Sequence, residues 1–202
     1  METTKGFSLK HRLLFQLGIT CVYLCTLSNP LKASDDRVYV DTIKRDDHIV
    51  ISAHFTLPLS QCEAYRYLTD NSSQNALPGI VYAKTKRISA NKVQIDRRVK
   101  EHVLFIPIHL DSVIEVTELP FIGTDFVQVS GSAKSYKGSW RLETTDSGTK
   151  FVFNGITDPG TMMPGFLVEH YMNKNLRLNF EEVARVGATR KGFIVDECRM
   201  SS

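Results

Sequence analysis

An arginine and a glutamate on the apolar phase of one expected strand are where chemistry could sit in this 202-residue chain. Over Lys92–Val103, the side chains of Val93, Ile95, Val99 and Val103 share one face, and Arg97 and Glu101 share it with them. A guanidinium in an apolar setting needs a partner. Glu101 could serve, or the carboxylate, phosphate or carbonyl of a ligand. A strand end twisted to solvent or a structural ion pair fits the same pattern. Asn175 and Asn179 are the second polar pair, four apart and within or beside an apolar helical stripe. Their amides could meet a ligand's polar end or bond to strand backbone.

The search for a catalytic signature is negative. There is no Gly-rich phosphate loop, no Cys-x-x-Cys pair and no His-Glu-x-x-His. His48, His54, His102, His109 and His170 are scattered without ligand spacing. No catalytic residue, metal site or cofactor is therefore assigned.

Aromatic residues offer a different clue. Tyr136, Trp140 and Leu142 alternate with Lys137, Ser139, Arg141 and Glu143, and Phe151 and Phe153 repeat the alternation in the next strand. Such residues either line a cavity or fill a core. Met162 and Met163 before Pro164 suit either a flexible gate or a plain apolar turn. Lys84, Lys86, Arg87, Arg98 and Lys100 cluster on two neighbouring strands. They read as a solvated face or as a transient contact with an anionic membrane surface.

These residues need elements to position them. Ile49, Ile51, Ala53 and Phe55 alternate with polar neighbours and predict a strand that Pro58 stops. Ser60 stands three residues before Glu63, the spacing of a capping box, and predicts a helix over residues 59–68. Residues 70–74 read as a turn or a short second helix. Further strands are expected over residues 79–88, Lys92–Val103, 111–119, 124–130, 135–143 and 149–157. Pro120, Gly123, Gly131 and Gly148 mark turns among them. A single long helix over residues 164–186 closes the chain. Val168, Met172, Leu176, Phe180, Val183 and Val186 form its stripe, which must be buried against the sheet.

The ends are set apart. Lys5, Lys10 and Arg12 precede an apolar run over residues 13–27, and Asn29 and Pro30 break it. That predicts a signal peptide over residues 1–33, cut before Ser34. The run is short for a membrane span of about 20 residues. Cleavage would remove four of the 25 bases and one of the 22 acids, leaving 21 of each. The mature chain is then neutral, so charge gives no case for nucleic acid. Residues 34–47 read as linker, 48–187 as one domain and 188–202 as a tail. Cys62 and Cys198 would be the remaining cysteines, and export would allow a disulfide between them.

Several segments resemble one pattern. "FTLPLSQCEAYRYLTD" is similar to the first strand and helix of the SRPBCC or START-like superfamily, and "ALPGIVYAKTKRIS" to its second strand. "GSWRLETTDSGTKFVFNGITDPGTMMPGFLVEHYMNKNLRLNFEEV" resembles its closing hairpin and C-terminal helix. The polyketide cyclase/dehydrase and coenzyme Q-binding branch is the most similar. The resemblance implies an α+β helix-grip fold: a seven-stranded antiparallel sheet curved around the long C-terminal helix, with two short helices after strand 1. It also implies a cavity for a lipid, quinone, sterol or aromatic polyketide. The expected function is that of an exported binding or transport protein for a hydrophobic small molecule, and the alternative is a cyclase/dehydratase-type enzyme using the same cavity. A partner-binding module whose cavity is filled by side chains is the third reading.

Overall fold

The computed structural model describes residues 38–70, 79–103, 105–161, 164–189 and Cys198. The expected signal peptide, the turn or second helix after residue 70 and the two methionines before Pro164 lie outside the described residues, apart from Asp70 itself.

Eight antiparallel strands form one sheet in the order β1-β2-β8-β7-β6-β5-β4-β3. They are β1 (Tyr39–Arg45), β2 (His48–Leu57), β3 (Ile80–Ser89), β4 (Lys92–Val103), β5 (Ile106–Leu119), β6 (Gly123–Gly131), β7 (Ser135–Thr145) and β8 (Gly148–Asp158). Helix α1 (Gln61–Thr69) follows β2, and α2 (Gly165–His170), a π-helical turn (Tyr171–Asn175) and α3 (Leu176–Thr189) follow one another at the C-terminus.

Two expectations change. The sheet has eight strands rather than seven, because part of the expected linker pairs along β2 from Tyr39↔His54 to Arg45↔His48. Asp46, at φ 52°, turns the chain between them. Polar composition hid this edge strand, whose tie to the core is Val38 and Val40. Helix α1 is the short helix expected after the first core strand, and the expected second one falls outside the described residues. The C-terminal helix also contains a π turn, in which the Leu176 N–H donates to the Tyr171 carbonyl five residues back.

The β2 alternation holds as expected: Ile49, Ile51, Ala53, Phe55 and Leu57 are all buried. So does the capping box: the Glu63 N–H donates to Ser60 Oγ at 3.3 Å, and the Ser60 N–H donates to the Glu63 carboxylate at 2.8 Å. Ala64 lets α1 approach the sheet, and the Tyr67 hydroxyl donates to the Val183 carbonyl at 2.7 Å, tying α1 to α3. The Thr149 hydroxyl donates to the Leu59 carbonyl at 2.8 Å and anchors the entry to α1.

Buried apolar residues fall into two groups. The main core joins β2, β8, α1 and α3 around Phe55, Phe151, Phe153 and Phe180. A smaller one holds Val93, Ile95 and Ile114 of β4 and β5.

Gly138 of β7 permits a close approach. A Cβ there would stand 2.3 Å from the Asn154 carbonyl oxygen, 2.7 Å from Phe126 Cζ and 2.9 Å from the Gly155 Cα. Two of those atoms are backbone, so the strands themselves must shift. Gly138→Ala is expected to cost about 1–3 kcal/mol, the range of core overpacking, read from denaturant unfolding. An unchanged midpoint would show that the β7–β8 ladder yields freely.

Candidate functional site

The space between sheet and C-terminal helix is a cavity of two lobes. Ile51, Arg97, Tyr136 and Leu176 line both and form the waist between them. The first lobe, about 290 Å³, is walled by Val93, Ile95, Ile114, Val116, Phe126, Trp140 and Phe153 of the sheet. Leu176, Asn179, Phe180 and Val183 of α3 cover it, and Tyr67 to Asp70 end it. The second lobe, about 490 Å³, runs toward Pro107, Pro159 and Pro164 beneath Leu167, Val168, Tyr171 and Met172. Both are of the size and apolar lining that suit a small-molecule ligand. A further hollow of about 930 Å³ beside β1, lined by Lys44, Asp46, Asp47 and Lys134, shares Ser132, Ala133, Pro159, Val168 and Met172 with the second lobe.

The polar residues converge at the waist. Arg97 Nε donates to the Ser112 hydroxyl at 3.2 Å, from the residue directly opposite in the β4–β5 register. The expected alternative of an Arg97–Glu101 ion pair is not formed. Four residues along a strand is about 13 Å, so a shared face does not bring the two together. Glu101 instead accepts from Asn179 Nδ2 at 3.0 Å, and the same Nδ2 lies 3.3 Å from the Tyr171 hydroxyl oxygen. Burial, then the Glu101 charge, pushes the Tyr171 hydroxyl well above its ordinary pKa. Burial also raises Tyr136, partly opposed by the Arg97 charge. Both phenols therefore remain protonated donors at neutral pH.

The other residues singled out from the sequence divide as follows. Tyr136, Trp140, Phe153, Met172, Leu176, Asn179 and Arg97 line one lobe or both. Phe151 does not. It is 1% exposed and stacked on Phe55 at 5.1 Å with Tyr67 against its edge, so it fills core beneath α1. Asn175 does not either: its amide donates to the His102 carbonyl at 2.9 Å and fastens the π turn to the end of β4. Glu101 reaches the cavity only through Asn179.

The sequence pattern singles out neither Ser112 nor Tyr171. Ser112 is recognisable only once strand register is known. Tyr171 is brought into play by the π turn. In an uninterrupted helix, residues eight apart differ by about 80° in direction. The extra residue of the π turn absorbs roughly one residue's rotation, leaving about 20°, which allows Tyr171 to meet Asn179.

Within the basic cluster, Arg87 forms a two-pronged bond to Glu118 at 2.9 and 3.0 Å, and Arg98 does the same with Asp111 at 2.6 and 3.0 Å. Lys84, Lys86 and Lys100 are exposed. Glu118 lines the first lobe, so its pairing keeps that wall neutral.

No protein-family model matches the sequence, and no curated protein matches it significantly. Solved structures do match. A protein from Thermus thermophilus aligns with a TM-score of 0.60 at 15% identity over 70% of this chain and 95% of its own. A STAR-related lipid transfer protein from Xanthomonas axonopodis aligns at 0.60 and 12%, over 74% and 92%. The Zhui aromatase/cyclase from a Streptomyces species aligns at 0.58 and 13%, over 71% and 95%. The likeness is one of fold: α+β, with the START-like helix-grip arrangement of an antiparallel sheet against a long C-terminal helix.

Proposed function

We propose that this chain, with its START-like fold, is an exported protein that binds and carries a hydrophobic small molecule between sheet and C-terminal helix. The observation that carries this reading is the two-lobed cavity, mostly apolar in lining, with Arg97 and Tyr136 among the four residues common to both lobes. The names of two structural neighbours, a lipid transfer protein and an aromatase/cyclase, support an apolar ligand. Export is supported by the apolar run after a basic start and by the Cys62–Cys198 disulfide, a bond that persists in oxidising compartments. The exposed Lys84, Lys86 and Lys100 support transient contact with an anionic membrane surface during loading.

Carriage is favoured over cyclase or dehydratase chemistry because such a reaction needs a general base within reach of its substrate. Glu118 and Asp111, which line the two lobes, are held in ion pairs with Arg87 and Arg98.

Native mass spectrometry of protein expressed with its leader should find a co-purifying apolar molecule. The neutral dye N-phenyl-1-naphthylamine should enter the purified protein and be displaced by lipid extracts. Val116→Phe, which fills the first lobe, should weaken dye binding by about tenfold, the effect of removing room for part of the ring system. Empty protein that excludes the dye would overturn the carrier reading.

A further inference from the structure

We infer that the ligand carries a single ionised carboxylate, seated at the waist on Arg97, with apolar arms running into the lobes. The inference rests on the proposed binding function and adds the chemical class of what is bound.

Charge pairing is the first argument. Arg87, Arg98, Arg141, Arg177 and Arg185 each have a carboxylate partner. Arg97, partly buried against an apolar cavity, has none within 4.0 Å among the described residues. Its Nε is taken by Ser112, and its two terminal nitrogens have no acceptor among the described residues, in a side chain that lines both lobes. A cation so placed is costly unless something compensates it. The two terminal nitrogens of a guanidinium match the two oxygens of one carboxylate.

The neighbouring hydroxyls argue the same way. The Tyr136 hydroxyl has no hydrogen-bond partner among the described residues and lies at the waist. The Tyr171 oxygen accepts from Asn179, which Glu101 holds in place, so the phenol proton is left to donate. The guanidinium can only donate and both phenols have a proton to donate, so the group that meets all of them is an acceptor. A sterol hydroxyl or a quinone carbonyl would satisfy one donor and leave the guanidinium charge unmet.

Charge balance then sets the number of charges. Among the described residues the first lobe is lined by no cation besides Arg97, and Glu118 at its far end is paired with Arg87. In the second lobe Asp111 is paired with Arg98. Asp70 in the first lobe and Glu101 behind Asn179 add negative charge, so Arg97 can meet one carboxylate and there is no cation among the described residues for a further charge. A phosphate monoester would bring a second charge with no cation to meet it.

The test uses 11-(dansylamino)undecanoic acid and its methyl ester, titrated by fluorescence into the purified full-length mature protein at neutral pH. The acid should bind at least about tenfold more tightly than the ester, the worth of charge-assisted hydrogen bonds. Arg97→Gln should remove that difference by weakening the acid and leaving the ester within about twofold. Tyr136→Phe, which keeps the ring, should weaken the acid alone by about three- to fivefold, and it carries the test if Arg97→Gln does not fold. Dodecanoic acid should displace the dansyl acid better than dodecyl phosphate. Equal binding of acid and ester, equal loss of both in Arg97→Gln, or preference for the alkyl phosphate would each overturn the carboxylate assignment while the carrier reading stands. Failure of wild-type protein to bind either dansyl probe would overturn both.

Discussion

Phe153→Ala is expected to remove about 3–5 kcal/mol of stability, the usual range for a buried phenylalanine. Phe153 is 4% exposed, and its ring centre lies 4.9 Å from Trp140, 5.2 Å from Phe180 and 5.9 Å from Phe126. It is thus the ring through which β6, β7, β8 and α3 touch one another. Two costs add: transfer of the apolar surface, and a void that the neighbours cannot fill because each is itself wedged by another ring. At about 2–4 °C per kcal/mol for a domain of this size, the thermal midpoint should fall by roughly 6–20 °C. Phe166→Ala is the matched control. Phe166 is exposed near the start of α2, and its loss should stay within about 0.5 kcal/mol. Similar midpoints for the two variants would mean that the ring cluster is not the keystone described. Phe153 also walls the first lobe, so its removal enlarges the cavity. The folded fraction of Phe153→Ala should still take up N-phenyl-1-naphthylamine.

How far the sequence anticipates this molecule depends on whether a signal is carried by one segment or by two. The β2 alternation reports its own buried face, and the Ser60 and Glu63 spacing reports its own helix start. The strand over Lys92–Val103 has the bounds read from its alternation alone. Each is a local pattern with a local cause. The edge strand β1 is different: Tyr39 and Ile43 face solvent, and what makes it a strand is the pairing with β2. Arg97 could be found because a charge out of phase is visible within one strand. Its partner Ser112 could not, because it depends on the register between two. A shared face offers Glu101 to Arg97, but it does not carry the distance of about 13 Å along the strand that keeps them apart. Asn175 and Asn179 both point to the end of β4, as their spacing implies. One meets a backbone carbonyl and the other a carboxylate, a distinction that helical periodicity does not contain. The π turn is the clearest case, since steps of 100° describe a regular helix and the functional interest of Tyr171 arises where the helix is irregular.

Loss of the Cys62–Cys198 disulfide is expected to have the other large effect, up to about 5 kcal/mol by the entropy of closing so long a loop in the unfolded chain. The two cysteines are 136 residues apart in sequence, and their Cα atoms stand 5.8 Å apart, inside the range a disulfide needs. Cys62 lies in the first turn of α1, the helix that ends the first lobe and is bonded to α3 through Tyr67 and Val183. The crosslink therefore restrains the unfolded chain over most of the domain, and in the native state it joins the far end of the chain to the element that closes the cavity. Urea unfolding of Cys62→Ser, Cys198→Ser and the double variant should give the same lowered midpoint, because either change breaks the same bond. Reductant should lower the wild-type midpoint to that value and leave the variants unmoved. A wild-type midpoint indifferent to reductant would show that the thiols are not joined in solution, and would remove one of the two supports for an oxidising compartment. If the shift is present, a domain with a hollow between sheet and helix owes part of its stability to a covalent tie rather than to core packing. That division suits a binding protein: the interior can stay open for a ligand while the chain remains folded when it is empty.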